Sequence, residues 1–226
     1  MSRKELELNM EREEVSMEDI SSRLSHNKVC NVTVKRNKNK LENALAVIQE
    51  LVKAGRLHAE GEIETIRTPE RLREYMDHCT QSGEYVLDVE TTGLDIYNDI
   101  LVGICLYTPG ETSAYVPFNH TDLQNVRVMD QMSEDQVRDI MIPYLQDQEL
   151  RCINFDNKKL AWDWKQIIVN IFWDTLIAGY VLNENEPHGL KPLYNKYILH
   201  GKGSSEDYGD LFEGIPFNYV PIEVAT

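Results

Sequence analysis

The sequence predicts an α/β domain built on a mixed β-sheet. Three apolar runs follow one another in hairpin order, and alternating helix and strand patterns come after them. A chain of 226 residues with 42% hydrophobic residues is long enough for one full domain plus an extension, but it is short for two separate cores.

The charge distribution divides the chain near residue 64. Residues 1–64 carry 11 Lys and Arg against 12 Asp and Glu, whereas the remaining residues carry 12 against 26. We therefore expect a charged, partly disordered N-terminal extension over residues 1–62 and an acidic domain over residues 63–226. Apolar residues at helical spacing predict a helix near residues 41–54. The basic cluster Thr33–Lys40 is interpreted either as a solvated linker or as an auxiliary phosphate-binding segment.

Local signals place the first elements of the domain. Thr68 and Pro69 are typical of a helix start, and this helix should run to about Gln81 because Gly83 follows as a stop. Three strands are then predicted, over YVLDVET, LVGICLY (Leu101–Tyr107) and SAYVP (Ser113–Pro117).

Helices and strands alternate in the second half of the domain. Ser133 and Gln136 have the form of a capping box, so a helix should follow and bend at Pro143. Further along the chain we predict a short strand at Leu150–Asn154 and a helix from about Asp156. A strand at Asn170–Trp173 and a helix from Asp174 should follow. Asp174 is expected to cap the last of these helices.

Two acidic residues stand one residue apart in the strand YVLDVET. Residues i and i+2 of a strand project to the same face, so Asp88 and Glu90 should point together. Two adjacent carboxylates repel each other, and a hard cation such as Mg²⁺ or Mn²⁺ removes the repulsion because it prefers oxygen ligands. The alternative is a solvent-exposed strand end with no ligand, and the pair alone does not exclude it.

The longer string YVLDVETTGLD resembles the first motif of the DEDD 3′–5′ exonucleases, which have a ribonuclease H-like fold. The order of later segments is similar to the proofreading exonuclease domain of family A (polymerase I-like) DNA polymerases, especially phage ones. This resemblance covers roughly Glu62 to Thr226. It is carried by the segments LVGICLY, SAYVPFNH, RCINFDNKKL, FWDTLIAGYVLNENEPHGLKPLYNKYI and FNYVPIEVAT.

The resemblance implies catalytic and metal-binding roles for three acids, Asp88, Glu90 and Asp156. In the family these acids hold two Mg²⁺ or Mn²⁺ ions, which activate a water and stabilise the leaving oxygen of a phosphodiester. The second family motif reads roughly N-x-K-[FY]-D, and this chain has Cys152 and Asn154 at its first and third positions. The acid of this motif is kept as Asp156.

Four further residues would contact the substrate by the same resemblance: Thr91, Leu94, Phe155 and Tyr208. Leu94 matches a position that wedges against the terminal base, and Phe155 matches one that packs near the 3′ nucleotide. Stacking on aromatic side chains holds single strands with little dependence on base sequence. Ordinary core packing is the alternative for Leu94 and Phe155, and Thr91 could instead cap the strand.

The third family motif, Y-x-x-x-D, would begin about two residues beyond Thr226, so its tyrosine and the fourth acid are not in this sequence. We therefore expect an N-terminal piece of a DNA polymerase that acts on the 3′ end of single-stranded DNA. Two hypotheses stay open. In the first, the chain is an exonuclease module that is weak or inactive alone and is completed by a downstream polymerase polypeptide or domain. In the second, it is a non-catalytic fragment that at most binds metal weakly or docks on a partner.

Composition limits the cellular setting. No apolar run approaches the roughly 18 residues that a membrane span needs, so no membrane association is expected. The four cysteines form no C-x-x-C pair, which argues against a disulfide framework or a zinc site and favours a reducing cytoplasm, bacterial or that of a phage-infected host. The net charge of −15 means that any attraction for nucleic acid must be local.

Overall fold

A computed structural model describes residues 39–40, 42–43, 46, 63–154, 158–165, 168–198, 200 and 215–225. In the N-terminal extension, all five described residues are helical. The rest of the described chain forms one sheet with helices packed on it.

Six described strands make up the sheet, in the order β1-β4-β3-β2-β5-β6. They are β1 (Ile63–Thr65), β2 (Glu84–Thr91), β3 (Leu101–Tyr107), β4 (Ser113–Pro117), β5 (Arg151–Asn154) and β6 (Ile171–Asp174). The pairs β2–β3 and β3–β4 are antiparallel, whereas β1–β4, β2–β5 and β5–β6 are parallel. The predicted mixed sheet is confirmed. Strand β1 was not predicted from the sequence.

The helices in the described part of the chain are α1 (Pro69–Ser82), α2 (Glu134–Leu145), α3 (Lys158–Trp164), α4 (Thr175–Leu182), α5 (Leu190–Tyr197) and α6 (Ile222–Ala225). A 3₁₀ turn, Phe217–Tyr219, precedes α6. None of the described helices has the length and apolar character that a membrane span requires.

The helix ends follow the predicted capping chemistry. The Thr68 side chain accepts a hydrogen bond from the Arg71 amide at the start of α1, and Gly83 ends that helix with a φ of 79°. Ser133 and Gln136 form the predicted capping box of α2. Asp174 caps α4 by accepting from the Ile177 amide at 3.0 Å.

The main hydrophobic core lies on one face of the sheet. Leu87 of β2, Ile104 and Leu106 of β3 and Cys152 of β5 pack there with apolar residues of α1 and α2. Because side chains alternate along a strand, Asp88 and Glu90 project from the opposite face. The core therefore fixes β2 in a register that keeps both carboxylates out of the apolar interior.

Candidate active site

Asp88 and Glu90 share one face near the C-terminal end of β2. Their cross-strand neighbours on β3 are Cys105, opposite Asp88, and Gly103, opposite Glu90. Directly opposite residues of an antiparallel pair face the same side, so the cysteine thiol lies on the carboxylate face. The pairing shifts by one residue between Glu90 and Thr91, and this bulge ends the regular ladder at the acids.

The electrostatics reflect two carboxylates in a half-buried place. Burial raises the pKa of Glu90 to about 7, and the nearby negative charge of Asp88 adds to the increase. The Cys105 thiol has a pKa well above its ordinary value, first because of burial and then because of Glu90 and Asp88. One Asp88 carboxylate oxygen accepts from the Val89 amide at 2.9 Å. The pair can therefore accept a cation that compensates its charge.

Strand β5 ends beside the two acids. It runs parallel to β2, with Asn154 paired to Leu87, so the chain leaves β5 level with Asp88. Asp156 and Phe155 follow Asn154 directly, but they lie outside the described residues, as does Tyr208. Within the described part of the chain no three His, Cys, Asp or Glu side chains form a group that could hold a metal. The two described acids offer only hard oxygen donors, which fit Mg²⁺ or Mn²⁺.

The loop after β2 presents one apolar side chain to solvent. The Thr91 hydroxyl donates to the Gly93 carbonyl at 2.6 Å, so it closes the turn. The Leu94 side chain is fully exposed and lines the cleft over the acids. The Leu94 side chain therefore does not pack in the core. The contacts of Thr91 and Leu94 with a substrate stay predictions.

An open cleft of about 890 Å³ lies over the carboxylate pair. One wall contains Asp88, Glu90 and the loop with Leu94, and the other comes from the starts of α3 and α5. Three lysines stand on that second wall: Lys158, Lys159 and Lys191. Anionic and cationic side chains thus line the same cleft of an acidic protein.

Lys159 also fixes the loop that carries Leu94. Its ammonium group donates to the Ile96 carbonyl at 2.8 Å and to Asp163 at 2.9 Å. Sequence reasoning did not place these lysines beside the acids, since it assigned local positive charge only to the cluster near residues 35–40. The pair Lys158-Lys159 directly after the second motif was the available signal.

Sequence and structure comparisons relate this chain to a known family and to solved structures. The sequence profile of a family described as 3′–5′ exonuclease matches residues 63–211. None of the curated proteins matches the chain.

Solved structures show a similar fold. RNase D of Trypanosoma brucei has a TM-score of 0.50 at 12% identity, with 70% of this chain and 56% of that chain covered. The catalytic core of RRP6 from the same organism has a TM-score of 0.46 at 17% identity, with 74% and 44% covered. NrnC of Brucella melitensis with bound Mg²⁺ has a TM-score of 0.40 at 16% identity, with 68% and 66% covered. The chain therefore spans less than two thirds of each of these proteins.

Proposed function

The chain belongs to the 3′–5′ exonuclease family, and from this premise we propose that it hydrolyses phosphodiesters at the 3′ end of single-stranded DNA as a proofreading domain. One observation carries the proposal. Asp88 and Glu90, on the string that resembles the first family motif, lie together at the end of β2 and line an open cleft. Both the position and the chemistry of this pair suit a nuclease of the DEDD type.

The proposal includes two Mg²⁺ or Mn²⁺ ions held by Asp88, Glu90 and Asp156. When bound, such ions supply the positive charge that activates a water and stabilises the leaving oxygen. The support for Asp156 is the path of the chain, because β5 ends level with Asp88 only two residues earlier. Asp88 and Glu90 hold their oxygen donors on the face of the sheet opposite the main apolar core.

The substrate end would be held by contacts along the cleft. Leu94 is exposed above the acids, where it can pack against a terminal base. Thr91 shapes the turn that presents Leu94, and Phe155 and Tyr208 are proposed as further contacts from the resemblance alone. The resemblance to polymerase domains supports DNA as the proposed substrate, and RNase D, a structural neighbour, is a ribonuclease by name.

A polymerase polypeptide or domain is the partner that we propose, in the cytoplasm of a bacterial or phage-infected cell. The order of motifs supports the polymerase context. Exposed apolar side chains on α4 suit a protein partner, because exposed apolar patches often mark interfaces. These side chains are Ile177, Tyr180, Val181 and Leu182.

The test is a single-stranded oligonucleotide labelled at its 5′ end, offered as DNA and as RNA. We expect metal-dependent shortening from the 3′ end, lost with EDTA and reduced at least about 10³-fold in Asp88→Asn, because positioning and metal activation provide most of the rate in such sites. Asp139→Asn, a matched change on the surface of α2, should keep wild-type activity. No shortening, with or without a polymerase polypeptide, would contradict the proposal, and shortening of RNA alone would reassign the substrate.

A further inference from the structure

The segment 215–225 lies on the carboxylate face of the sheet. Phe217 packs with Val102 and Tyr115 in a small buried cluster, and Cys105 and Ala225 pack against that cluster. Cys105 is the cross-strand neighbour of Asp88, so this cluster is separate from the main core and borders the acids. The segment therefore covers part of the sheet face that carries Asp88 and Glu90.

A buried histidine connects this segment to the sheet. His120 is 1% exposed, and its Nδ1 lies 2.8 Å from the Val220 carbonyl oxygen. A carbonyl oxygen only accepts hydrogen bonds, so Nδ1 donates the proton. The other ring nitrogen, Nε2, then accepts from the Tyr115 hydroxyl at 2.7 Å. The neutral ring thus makes one hydrogen bond to the segment and one to β4.

The Tyr115 side chain crosses the backbone of Gly103, the neighbour of Glu90 on β3, to reach His120. Gly103 is the cross-strand neighbour of Glu90, and a Cβ at Gly103 would overlap the Tyr115 hydroxyl oxygen. The absence of a side chain at Gly103 therefore gives Tyr115 its place on the sheet. Glu90, Gly103, Tyr115 and His120 form a continuous path from the acid to the covering segment.

Gln131 fixes the backbone of the histidine. The Gln131 side chain accepts from the His120 amide at 2.9 Å and donates to the His120 carbonyl at 2.7 Å. Both residues are buried, so the ring is held from the backbone side as well as through its two nitrogens. The segment makes further polar contacts with the loop after His120: the Asn218 carbonyl accepts from the Thr121 amide at 2.8 Å, and the buried Asn218 side chain donates to the Thr121 hydroxyl at 2.7 Å. The contact of Tyr219 with Asn125 lies at the surface.

We propose that His120 and Tyr115 are positioning residues, which hold the segment 215–225 against the carboxylate face through the Nδ1 hydrogen bond to Val220. The inference rests on the proposed function only in treating this face as the catalytic one. Its test uses no nuclease activity, so its failure is distinct from failure of the exonuclease assay.

Two substitutions of His120 distinguish the hydrogen bond of Nδ1 from that of Nε2. The amide nitrogen of asparagine can replace Nδ1, whereas the side chain of glutamine reaches the place of Nε2. In the full chain, His120→Gln should therefore increase hydrogen exchange of the amides in 217–225 about tenfold or more. His120→Asn keeps the hydrogen bond to Val220 and loses only the one to Tyr115, so its increase should be about threefold, as in Tyr115→Phe. His78→Gln, on the exposed side of α1, is the matched control and should change nothing there.

Cys105 gives a second readout beside the acids. Alkylation of this thiol, followed by mass spectrometry, should become faster in His120→Gln than in His120→Asn. Tyr115→Phe keeps the ring and removes only the hydroxyl, so it tests the same path in a protein that retains its packing; its exchange should increase by about threefold or more. Wild-type rates in His120→Gln and Tyr115→Phe, or equal loosening by the Asn and Gln variants, would overturn the inference. Rapid exchange of 217–225 in the wild type would overturn it too.

Discussion

Glu90 makes the stability of the folded protein depend on pH. Burial and the neighbouring Asp88 raise its pKa to about 7, from an ordinary value of 4.5. Between these two values the folded protein binds more protons than the unfolded chain. The free energy of unfolding should therefore fall as the pH rises from about 4.5 to about 7, and the stability present below 4.5 is lost above 7.

Glu90→Gln removes this dependence because an amide cannot ionise. Without metal, the variant should be more stable than wild type at pH 8 by about 1–3 kcal/mol and nearly equal to it at pH 4. Urea unfolding at the two pH values measures the difference. Glu149→Gln, at an exposed position, should show no such change. Equal stability of Glu90→Gln and wild type at pH 8 would mean that Glu90 is solvated in the folded protein.

A substitution at Leu94 distinguishes a role in substrate binding from a role in the stability of the fold. Its side chain is fully exposed, so Leu94→Ala should change the free energy of unfolding by less than about 0.5 kcal/mol. If it packs against the terminal base, the same substitution should raise KM for single-stranded DNA several-fold. Met129→Ala, which removes an exposed apolar side chain outside the cleft lining, is the control and should leave KM unchanged. A loss of stability with unchanged KM would argue against the binding role.

At the scale of elements, the sequence predicted strands β2 to β6 and missed the edge strand β1. The bounds of β3 and β4 agree with the apolar runs, because turn residues flank both runs. Strand β1 has only three residues, and its pairing with β4 depends on tertiary contact rather than on a local pattern. The contact between His120 and Val220 joins positions 100 residues apart, so no local pattern could have predicted it.

The close packing of β3 against Tyr115 is testable at Gly103. In Gly103→Ala the new Cβ would overlap the Tyr115 ring, so the ring must move and its hydrogen bond to His120 must break. We expect a loss of about 2–4 kcal/mol in the free energy of unfolding. Gly83→Ala is the contrast: its φ of 79° is unfavourable for alanine, but nothing lies within 4 Å of the new Cβ. It should cost about 1 kcal/mol, and equal losses in urea unfolding would contradict the steric argument.

At the scale of the whole molecule, the net negative charge of the chain and the positive charge of the lysines in its cleft have opposite effects on nucleic-acid binding. A net charge of −15 repels nucleic acid at long range. The lysines on α3 and α5 place positive charge beside the acids, which composition could not reveal because the two helix starts meet only in the folded protein. Attraction for phosphates should therefore be short-ranged and confined to the cleft.

This confinement predicts how binding responds to lysine substitutions. Lys158→Gln and Lys191→Gln together should weaken binding of a single-stranded oligonucleotide about tenfold at low salt, measured by fluorescence anisotropy in EDTA. Each phosphate that the protein no longer neutralises should lower the slope of log Kd against log salt by about 0.7. Lys196→Gln removes the same charge from the exposed part of α5, where the lysine pairs with Glu186, and should leave both quantities unchanged. If the double variant and Lys196→Gln bind alike, the cleft lysines do not contact phosphates, and the substrate must approach the acids from another side.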